Sequence, residues 1–469
     1  MSVSWQLWGK IAFAKARKEK KPVLLTISAT WCHWCHTMDE LTYGNQEIAE
    51  FINTHFTPVR VDTDQRPDIN ERYNVGGWPS TIILANDGEP VSGATYVPPQ
   101  AMVSFLEDAL ARFKTYKPKK RKPLSARQIP FNTEEFYELV KTFYDPVNKG
   151  FGLEPKFLHP EILEYLLFKK DAQSKKMVEE TLHAMGKSEV FDSNGGGFFR
   201  YATQANWTFP HFEKLLADNA RMLEIATLAY EHSKNPELLT IINKTLFFLL
   251  TTLYDSPTGA FYSSQDADEK YCSLSWEERA KEEPPYVDET VYTDANAALA
   301  KALFAVSRHE KEYLPIALKT LDFLWKHLRG GVPHNLADEK SLYLLKDAVG
   351  LLDVFVAAFH ATNRLEWKSR AETVAKHLER FYDKKNGGFF DILASKDAVG
   401  RLNERKKPVN ENGRAALALH ALAKMTKNEK YSLVAQKSLD AVSADAFALG
   451  AYGATYALAA ELLAKEQPF

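Results

Sequence analysis

The sequence has little cysteine, almost no net charge and no long hydrophobic run. Its 469 residues contain three cysteines, Cys32, Cys35 and Cys272, which excludes a structural disulfide framework and favours a reducing compartment. A net charge of −2 gives no overall preference for nucleic acid or anionic membranes. The apolar run 246–253, among the longest, is too short to span a bilayer, and 1–21 lacks the apolar core of a signal peptide. We therefore expect a cytoplasmic protein with no membrane and no nucleic-acid partner.

The length predicts two or more domains, and 45% hydrophobic with 26% charged residues is typical of a globular protein with a large core. Strand and helix patterns alternate in residues 1–115. Predicted strands are 23–27, 56–61 and 81–84, with a return strand from Val91, and predicted helices are 35–43, 46–54 and 101–113. This β-α-β-α-β-β-α order predicts an α/β thioredoxin-like domain.

Residues 116–130 contain a basic run with two prolines, 117–123. We interpret this segment as a solvated linker rather than a nucleic-acid patch.

Residues 131–469 show helical patterns alone, with an internal repeat. Six loops of small and aromatic residues recur at intervals of 47 to 71 residues, and each interval holds two helix patterns. The first predicted helix, 134–144, has no upstream partner, and the last, 451–465, has no downstream one. An open array of repeats needs polar ends. Pairing of the first predicted helix with the last would instead close a ring of six hairpins, so we predict an all-α (α/α)6 toroid over an open solenoid or a loose bundle.

The run Trp31 to His36 reads Trp-Cys-His-Trp-Cys-His and directly follows the first predicted strand. Two cysteines separated by two residues, between a strand and a helix, are the layout of a thioredoxin-type redox site. The helix dipole and the free N–H groups at a helix start favour a thiolate. We expect Cys32 to be the exposed nucleophile and Cys35 the buried resolving thiol.

A second signal, Gly-Gly-Trp-Pro-Ser at 76–80, precedes the third predicted strand. In thioredoxin folds a cis proline at this place faces the CxxC and shapes the groove that binds a peptide or disulfide. We expect Pro79 to take that place. The predicted substrate contacts of this domain are Trp31, His33, Trp34, Trp78 and Pro79.

Other interpretations of the cysteine motif stay open. Cys-His-x-Cys-His could bind zinc, but four ligands within five residues cannot easily surround one ion, so we predict no metal and no cofactor. The domain could also be a degenerate thioredoxin fold used for binding alone. Thioredoxins often carry a buried Asp six residues before the first cysteine, and Thr26 stands there instead, which predicts less efficient disulfide turnover.

Several segments of the sequence together resemble one known family. They are Cys-His-Trp-Cys-His-Thr-Met at 32–38, then 56–62, 66–68, 76–79, 93–98, 195–201, Trp207, 210–214, 218–219, 259–262 and 265–268. The chain resembles the DUF255 proteins, also called the spermatogenesis-associated protein 20 or YyaL-like family, over nearly its whole length. The resemblance implies a thioredoxin-like N-terminal part and a C-terminal part similar to the six-hairpin glycosidases. Because the activity of that family is poorly defined, the resemblance informs the fold more than the function.

Polar residues gather where each loop of the predicted toroid enters the following helix, at one end of the expected cavity. Our candidate ligand contacts there are Trp207, His211, Glu213, Asp218, Asn219 and Asp266, with Phe209, Phe261 and Tyr262 as further lining aromatics. Carboxylates beside aromatic rings are typical of sugar-processing sites. We expect Pro210 to begin a helix that aims His211 at the cavity. Asp294, Asp347, Glu411 and Asn412 are more simply helix caps, and Asp266 more simply closes a loop.

We therefore expect a thiol–disulfide oxidoreductase in which Cys32 attacks a protein or small-molecule disulfide and Cys35 resolves the intermediate. The toroid would recruit or shape the substrate. One alternative is a carbohydrate-active toroid, glycosidase- or epimerase-like, with a regulatory thioredoxin-like domain. Another is a noncatalytic protein that senses redox state.

Overall fold

The computed structural model describes residues 2–118 and 129–465. The chain divides into two compact units, Met1–Leu124 with Ala394–Arg405, and Ser125–Leu393 with Lys406–Phe469. Most of the predicted linker, residues 119–128, lies outside the described residues.

The first unit contains a four-stranded mixed sheet. Its elements are α1 (Lys10–Glu19), β1 (Val23–Ser28), α2 (His33–Met38), α3 (Gln46–His55), β2 (Thr57–Asp62), α4 (Pro67–Tyr73), β3 (Ser80–Leu84), β4 (Pro90–Ala94) and α5 (Pro99–Thr115). The strand order is β2-β1-β3-β4, with β1 parallel to β2 and antiparallel to β3. A π-helical turn, Asp39–Tyr43, continues α2. The central strand β1 is buried on both faces over its first five residues, as a strand covered on both sides requires.

The predicted thioredoxin-like class of this unit is confirmed, and α1 and α4 are additions to the predicted order. Helix α1 buries Ala12, Phe13 and Ala16 on one face. The segment 394–405 is held by α4, where the Tyr73 hydroxyl accepts from the Arg401 N–H at 2.7 Å.

The second unit is helical. Its helices are α6 (Thr133–Phe143), α7 (Pro160–Lys169), α8 (Ala172–Gly186), α9 (Leu216–Ser233), α10 (Pro236–Phe248), α11 (Glu269–Ser273), α12 (Trp276–Arg279), α13 (Thr293–Val306), α14 (Leu314–Lys326), α15 (Leu345–Thr362), α16 (Leu365–Leu378), α17 (Val409–Thr426), α18 (Glu429–Asp440), α19 (Ser443–Ala448) and α20 (Ala454–Lys465). Its two-residue strands are β5 (Lys156–Phe157), β6 (Tyr201–Ala202), β7 (Pro210–His211), β8 (Lys214–Leu215), β9 (Tyr254–Asp255), β10 (Ala260–Phe261), β11 (Ser264–Gln265) and β12 (Val287–Asp288).

Six inner helices of this unit form a closed ring. In ring order they are α7, α9, α13, α15, α17 and α20, and α20 packs against α7. Their outer partners are α8, α10, α14, α16, α18 and α6 in the same order. Because α6 pairs with α20, the two helices that the sequence left unpaired complete the sixth hairpin. The predicted (α/α)6 toroid is confirmed.

An asparagine in the first turn of an inner helix fastens the preceding loop at three places in the ring. The Asn219 amide accepts from the Phe198 N–H at 2.7 Å and donates to the Phe198 carbonyl at 3.0 Å. The equivalent pairs are Asn296 with Phe261 and Asn412 with Phe389. The loop passes so close that a Cβ on Gly197, whose φ is +82°, would lie 2.9 Å from Asn219 Oδ1, which explains the glycine.

An aspartate–lysine pair also recurs in three hairpins, and it is buried in the first two. The ion pairs are Asp145 with Lys156 at 2.5 Å, Asp192 with Lys214 at 2.6 Å, and Asp383 with Lys407 at 2.8 Å. In the second pair, Arg279 also forms an ion pair with the same Asp192 oxygen, at 2.7 Å. All three side chains are almost fully buried.

One segment, Pro236–Leu253, is long and apolar enough to cross a membrane by length and composition. Its helix α10 packs against α8 and α9, and Leu238, Ile242 and Leu246 belong to the hydrophobic core of the toroid. We interpret it as a core helix.

Candidate functional site

The two cysteines of the CxxC motif lie at the start of α2, as the sequence predicts. Cys32 is the N-terminal flanking residue of the helix, and its carbonyl accepts from the N–H groups of Cys35 at 2.9 Å and His36 at 3.2 Å. Both cysteines are in the thiol form and are not joined by a disulfide. The first-turn N–H groups of the helix therefore lie next to the sulfur atoms, where they favour a thiolate.

Cys32 is 3% exposed and Cys35 is 2% exposed. The expectation of an exposed Cys32 is therefore wrong for this conformation. The preceding residue, Trp31, is also buried, because its Nε1 donates to Asp64 Oδ2 at 2.6 Å and its ring packs edge-on against Trp78. A disulfide substrate would reach the sulfur atoms only after local movement of these groups.

The thiols interact with each other. A hydrogen bond with the Cys32 thiol is the main cause that lowers the pKa of Cys35, and it outweighs the burial that would raise this pKa. The Ala29 backbone, the Ser28 side chain and the charge of His36 add to the lowering. The pair can therefore hold one negative charge at modest cost, as a resolving thiol requires.

The predicted groove residues belong to the same unit as this pair. The Trp78–Pro79 peptide bond is cis, as expected. Trp34 is 46% exposed and packs edge-on against Tyr96 and His33. An exposed aromatic next to a redox pair can contact a substrate, and that role stays a prediction.

In the toroid, the first turns of the inner helices meet around a cavity of about 360 Å³. Toward its interior, Glu164 accepts from Arg221 at 2.7 Å and from Arg414 at 3.0 Å. Lys301 pairs with Asp353 at 2.8 Å. Glu224 also accepts from Arg221 at 2.9 Å, so three carboxylates balance the three cations of this network.

Carboxylates from several inner helices lie near the other end of the cavity, and Glu161 and Glu411 line it. Burial raises the pKa of Asp218 to about 6, and the charge of Glu161 adds to this effect. Burial also raises the pKa of Glu411. Acids with raised pKa values can donate protons near neutral pH, which is the property of a general acid.

The structure assigns structural roles to two predicted ligand contacts, so those predictions are corrected. Trp207 is 1% exposed, and its Nε1 donates to the carbonyls of Asn148 and Lys149. Asn219 is fully buried and fastens the loop at Phe198. The predicted lining residue Phe261 is also fully buried in the core.

His211 and Glu213 do not begin a helix, because Pro210–His211 is strand β7 and α9 starts at Leu216. The His211 ring stacks on Tyr201 at 4.5 Å, and its Nδ1 lies 3.7 Å from Glu213 Oε1. Burial opposes ionisation of Glu213, but the nearby His211 and the charge of Arg200 lower its pKa. His211 and Glu213 are therefore close to each other, with His211 on β7 and Glu213 in the short connection before β8. Asp266 Oδ1 accepts from the Ala267 N–H at 2.7 Å.

Sequence reasoning missed a cluster formed by His334, Asp347 and Asp294. His334 Nδ1 lies 3.0 and 3.1 Å from the two Asp347 oxygens, and one ligand atom from each residue lies within 4.8 Å of the others. These three groups could hold a metal ion, although Lys346 already pairs with Asp294 at 2.8 Å. His334 and Asp347 lie 40 or more positions after Asp294 and share no local pattern with it. Only the packing of neighbouring hairpins in the ring brings the three together.

The raised pKa of Asp218 predicts a pH-dependent gain in stability for Asp218→Asn. In the unfolded chain the Asp218 carboxyl ionises near pH 4. Above about pH 6, folding must therefore bury its negative charge, which the variant lacks. We expect the variant to be about 1 to 2 kcal/mol more stable at neutral pH, and the gain to vanish as the pH falls from about 6 to below about 4. Urea denaturation at both pH values measures this. Asp108→Asn, on an exposed face of α5, is the control, and an equal gain at both pH values would contradict the prediction.

Together these observations define a protein with a thioredoxin-like unit that bears a CxxC and a toroid of six helical hairpins. Residues 1–130 match a family model described as protein of unknown function, DUF255 (Thioredox_DsbH). Mouse spermatogenesis-associated protein 20 is 33% identical over 308 residues, which cover 57% of this chain and 39% of that protein. The predicted resemblance to this family is confirmed over 57% of the chain, which spans about 39% of the length of that relative.

Two further comparisons concern the separate units. Thioredoxin-2 of Pyricularia oryzae is 38% identical over 99 residues, 20% of this chain and 53% of that protein. The structure of cellobiose 2-epimerase from Bacillus thermoamylovorans matches with a TM-score of 0.54 at 11% identity, over 71% of this chain and 99% of that chain. At this identity the likeness concerns the fold alone.

Proposed function

We propose that this protein is a thiol–disulfide oxidoreductase whose reacting groups are Cys32 and Cys35. The observation that carries the proposal is the pair of reduced, hydrogen-bonded thiols at the start of α2, in which the pKa of Cys35 is lowered despite burial. The similarity of the first unit to a thioredoxin supports this chemistry. The substrate we propose is a protein or small-molecule disulfide.

The reaction takes two exchange steps. The Cys32 thiolate attacks one sulfur of the substrate disulfide, forms a mixed disulfide and releases one substrate thiolate. Cys35 then attacks the Cys32 sulfur, closes the Cys32–Cys35 disulfide and releases the second thiolate. The substrate gains two electrons and the protein loses two, so turnover needs an external dithiol such as dithiothreitol.

A redox titration of the full chain tests the proposal. We expect mass spectrometry to show reversible loss of two hydrogens, mapped to Cys32 and Cys35, as the dithiothreitol ratio is varied. We also expect steady-state reduction of insulin disulfides with dithiothreitol as the electron donor. Reversible oxidation without insulin turnover would indicate a redox sensor and contradict the proposal.

The toroid cavity favours a second candidate function, a carbohydrate-active site. The supporting observation is that Asp218 and Glu411, both with raised pKa values, come from the first turns of inner helices around a cavity large enough for a small ligand. Thermal-shift screening of a glycan panel tests it. Binding that is lost in Glu411→Gln supports a carbohydrate ligand, and no binding by any glycan argues against it.

A further inference from the structure

Three side chains from neighbouring hairpins of the toroid converge on one point. Asp294 lies in the first turn of α13, Asp347 in the first turn of α15, and His334 in the loop before α15. His334 Nδ1 lies 3.0 Å from Asp347 Oδ1 and 3.9 Å from Asp294 Oδ1. In a tetrahedral metal site with bonds of about 2.1 Å, the ligand atoms are about 3.4 Å apart. The two observed distances bracket that value, so small shifts would bring all three ligands onto one ion.

The protein holds these side chains in place through their surroundings. The Thr293 N–H at the start of α13 donates to the His334 carbonyl at 3.0 Å, and the His334 ring stacks on Tyr292 at 4.8 Å. Asp347 Oδ1 accepts from the Asp294 N–H at 3.2 Å. His334 is 2% exposed and Asp347 is fully buried. An ion that binds here therefore pays little to order its ligands.

The cluster already binds a cation, the ammonium of Lys346. Two carboxylates this close repel each other unless positive charge lies between or beside them. Lys346 Nζ pairs with Asp294 Oδ2 at 2.8 Å, and the His334 imidazole faces Asp347. The Lys346 side chain is 31% exposed and lines the toroid cavity. It can therefore turn into the cavity and leave its place at Asp294 to a metal ion.

We propose that Asp294, His334 and Asp347 form a binding site for a divalent transition-metal ion of the zinc type, which displaces Lys346 from Asp294. An imidazole nitrogen with two carboxylates suits such an ion, whereas Mg²⁺ and Ca²⁺ prefer oxygen ligands alone. Because Asp294 lines the cavity, the fourth position of the ion faces it, and water or a ligand oxygen can complete the coordination. The site is independent of the proposed disulfide exchange, since Cys32 and Cys35 belong to the other unit.

Calorimetric titration with Zn²⁺ tests the site in the full chain with its three cysteines replaced by serine, so that no thiolate competes for the ion. We expect one equivalent to bind at micromolar concentrations. Asp294→Asn and His334→Gln should each weaken binding about 100-fold, because each removes one ligand. Lys346→Met should strengthen binding about 10-fold, because the competing ammonium is gone. Thermal unfolding shows whether each variant is folded.

Asp353→Asn is the matched control, since Asp353 lies on the same helix as Asp347, lines the same cavity and pairs with Lys301 at 2.8 Å. It should change the Zn²⁺ affinity less than about threefold. The inference is overturned if the parent binds no Zn²⁺ at millimolar concentration, or if Asp353→Asn weakens binding as much as Asp294→Asn. Unchanged affinity in both ligand variants would show an adventitious ion only. Weaker binding in Lys346→Met would contradict the displacement of that ammonium.

Discussion

Replacement of Cys32 by serine should lower the rate of insulin disulfide reduction by about 1,000-fold or more, to the rate of dithiothreitol alone. The hydroxyl is a far weaker nucleophile than a thiolate, and no mixed disulfide can form at that position. Because Ser is close to Cys in size, the start of α2 should keep its geometry. The measurement is insulin turbidity or Ellman's reagent turnover under identical dithiol.

Cys272→Ser provides the matched control for a lost thiol. Burial raises the pKa of Cys272 to about 11, so this thiol is protonated at neutral pH and should contribute nothing to turnover. Cys35→Ser should behave differently from both variants, because it forms the mixed disulfide at Cys32 but cannot release it. Equal activity in Cys32→Ser and the parent protein would contradict the assignment.

Asp192→Asn should destabilise the toroid by about 3 kcal/mol or more, because it leaves the buried ammonium of Lys214 and the guanidinium of Arg279 without their shared counter-charge. The amide can still accept from the N–H groups of Asn194 and Gly195, so the loss comes from the charge. The positive neighbours lower the pKa of Asp192 in spite of its burial. The stabilisation is therefore present above the unfolded pKa and lost as the pH falls through the folded one.

Asp383→Asn is the comparison for this effect. Asp383 and Lys407 occupy the equivalent place in another hairpin, but their side chains are 14% and 17% exposed against 3% for Asp192 and Lys214. Because water can reach both groups, we expect a loss of about 1 kcal/mol. Guanidinium denaturation at neutral pH gives both values. A larger loss in Asp383→Asn than in Asp192→Asn would contradict the burial argument.

The fold followed from sequence wherever the determining signals were local. The apolar strand β1 and the glycines of the repeated loops carry their own conformational preference, as at Gly197, where the left-handed backbone excludes other side chains. The pairing of α6 with α20 required only the count of helices. The CxxC was found for the same reason, since both cysteines lie within one turn of a helix.

The parts of the candidate site that sequence did not predict depend on distant contacts. The run from Pro210 to Lys214 has the residues of a helix start. Because Lys214 forms a buried ion pair with Asp192, however, the chain stays extended until α9 begins at Leu216. The burial of Cys32 depends on how Trp31 is held by Asp64, from the end of β2. Asp294 of α13 meets His334 and Asp347 only because neighbouring hairpins pack together.

The contact between α20 and α7 gives the helical ring no outermost repeat. A linear array can lose its end repeats one at a time, because each of them has a neighbour on one side only. Here every hairpin is flanked on both sides, so the first one to detach must break two interfaces. We therefore infer that partial unfolding of the toroid starts when two neighbouring hairpins separate at their interface. Stepwise loss of end repeats does not precede this event.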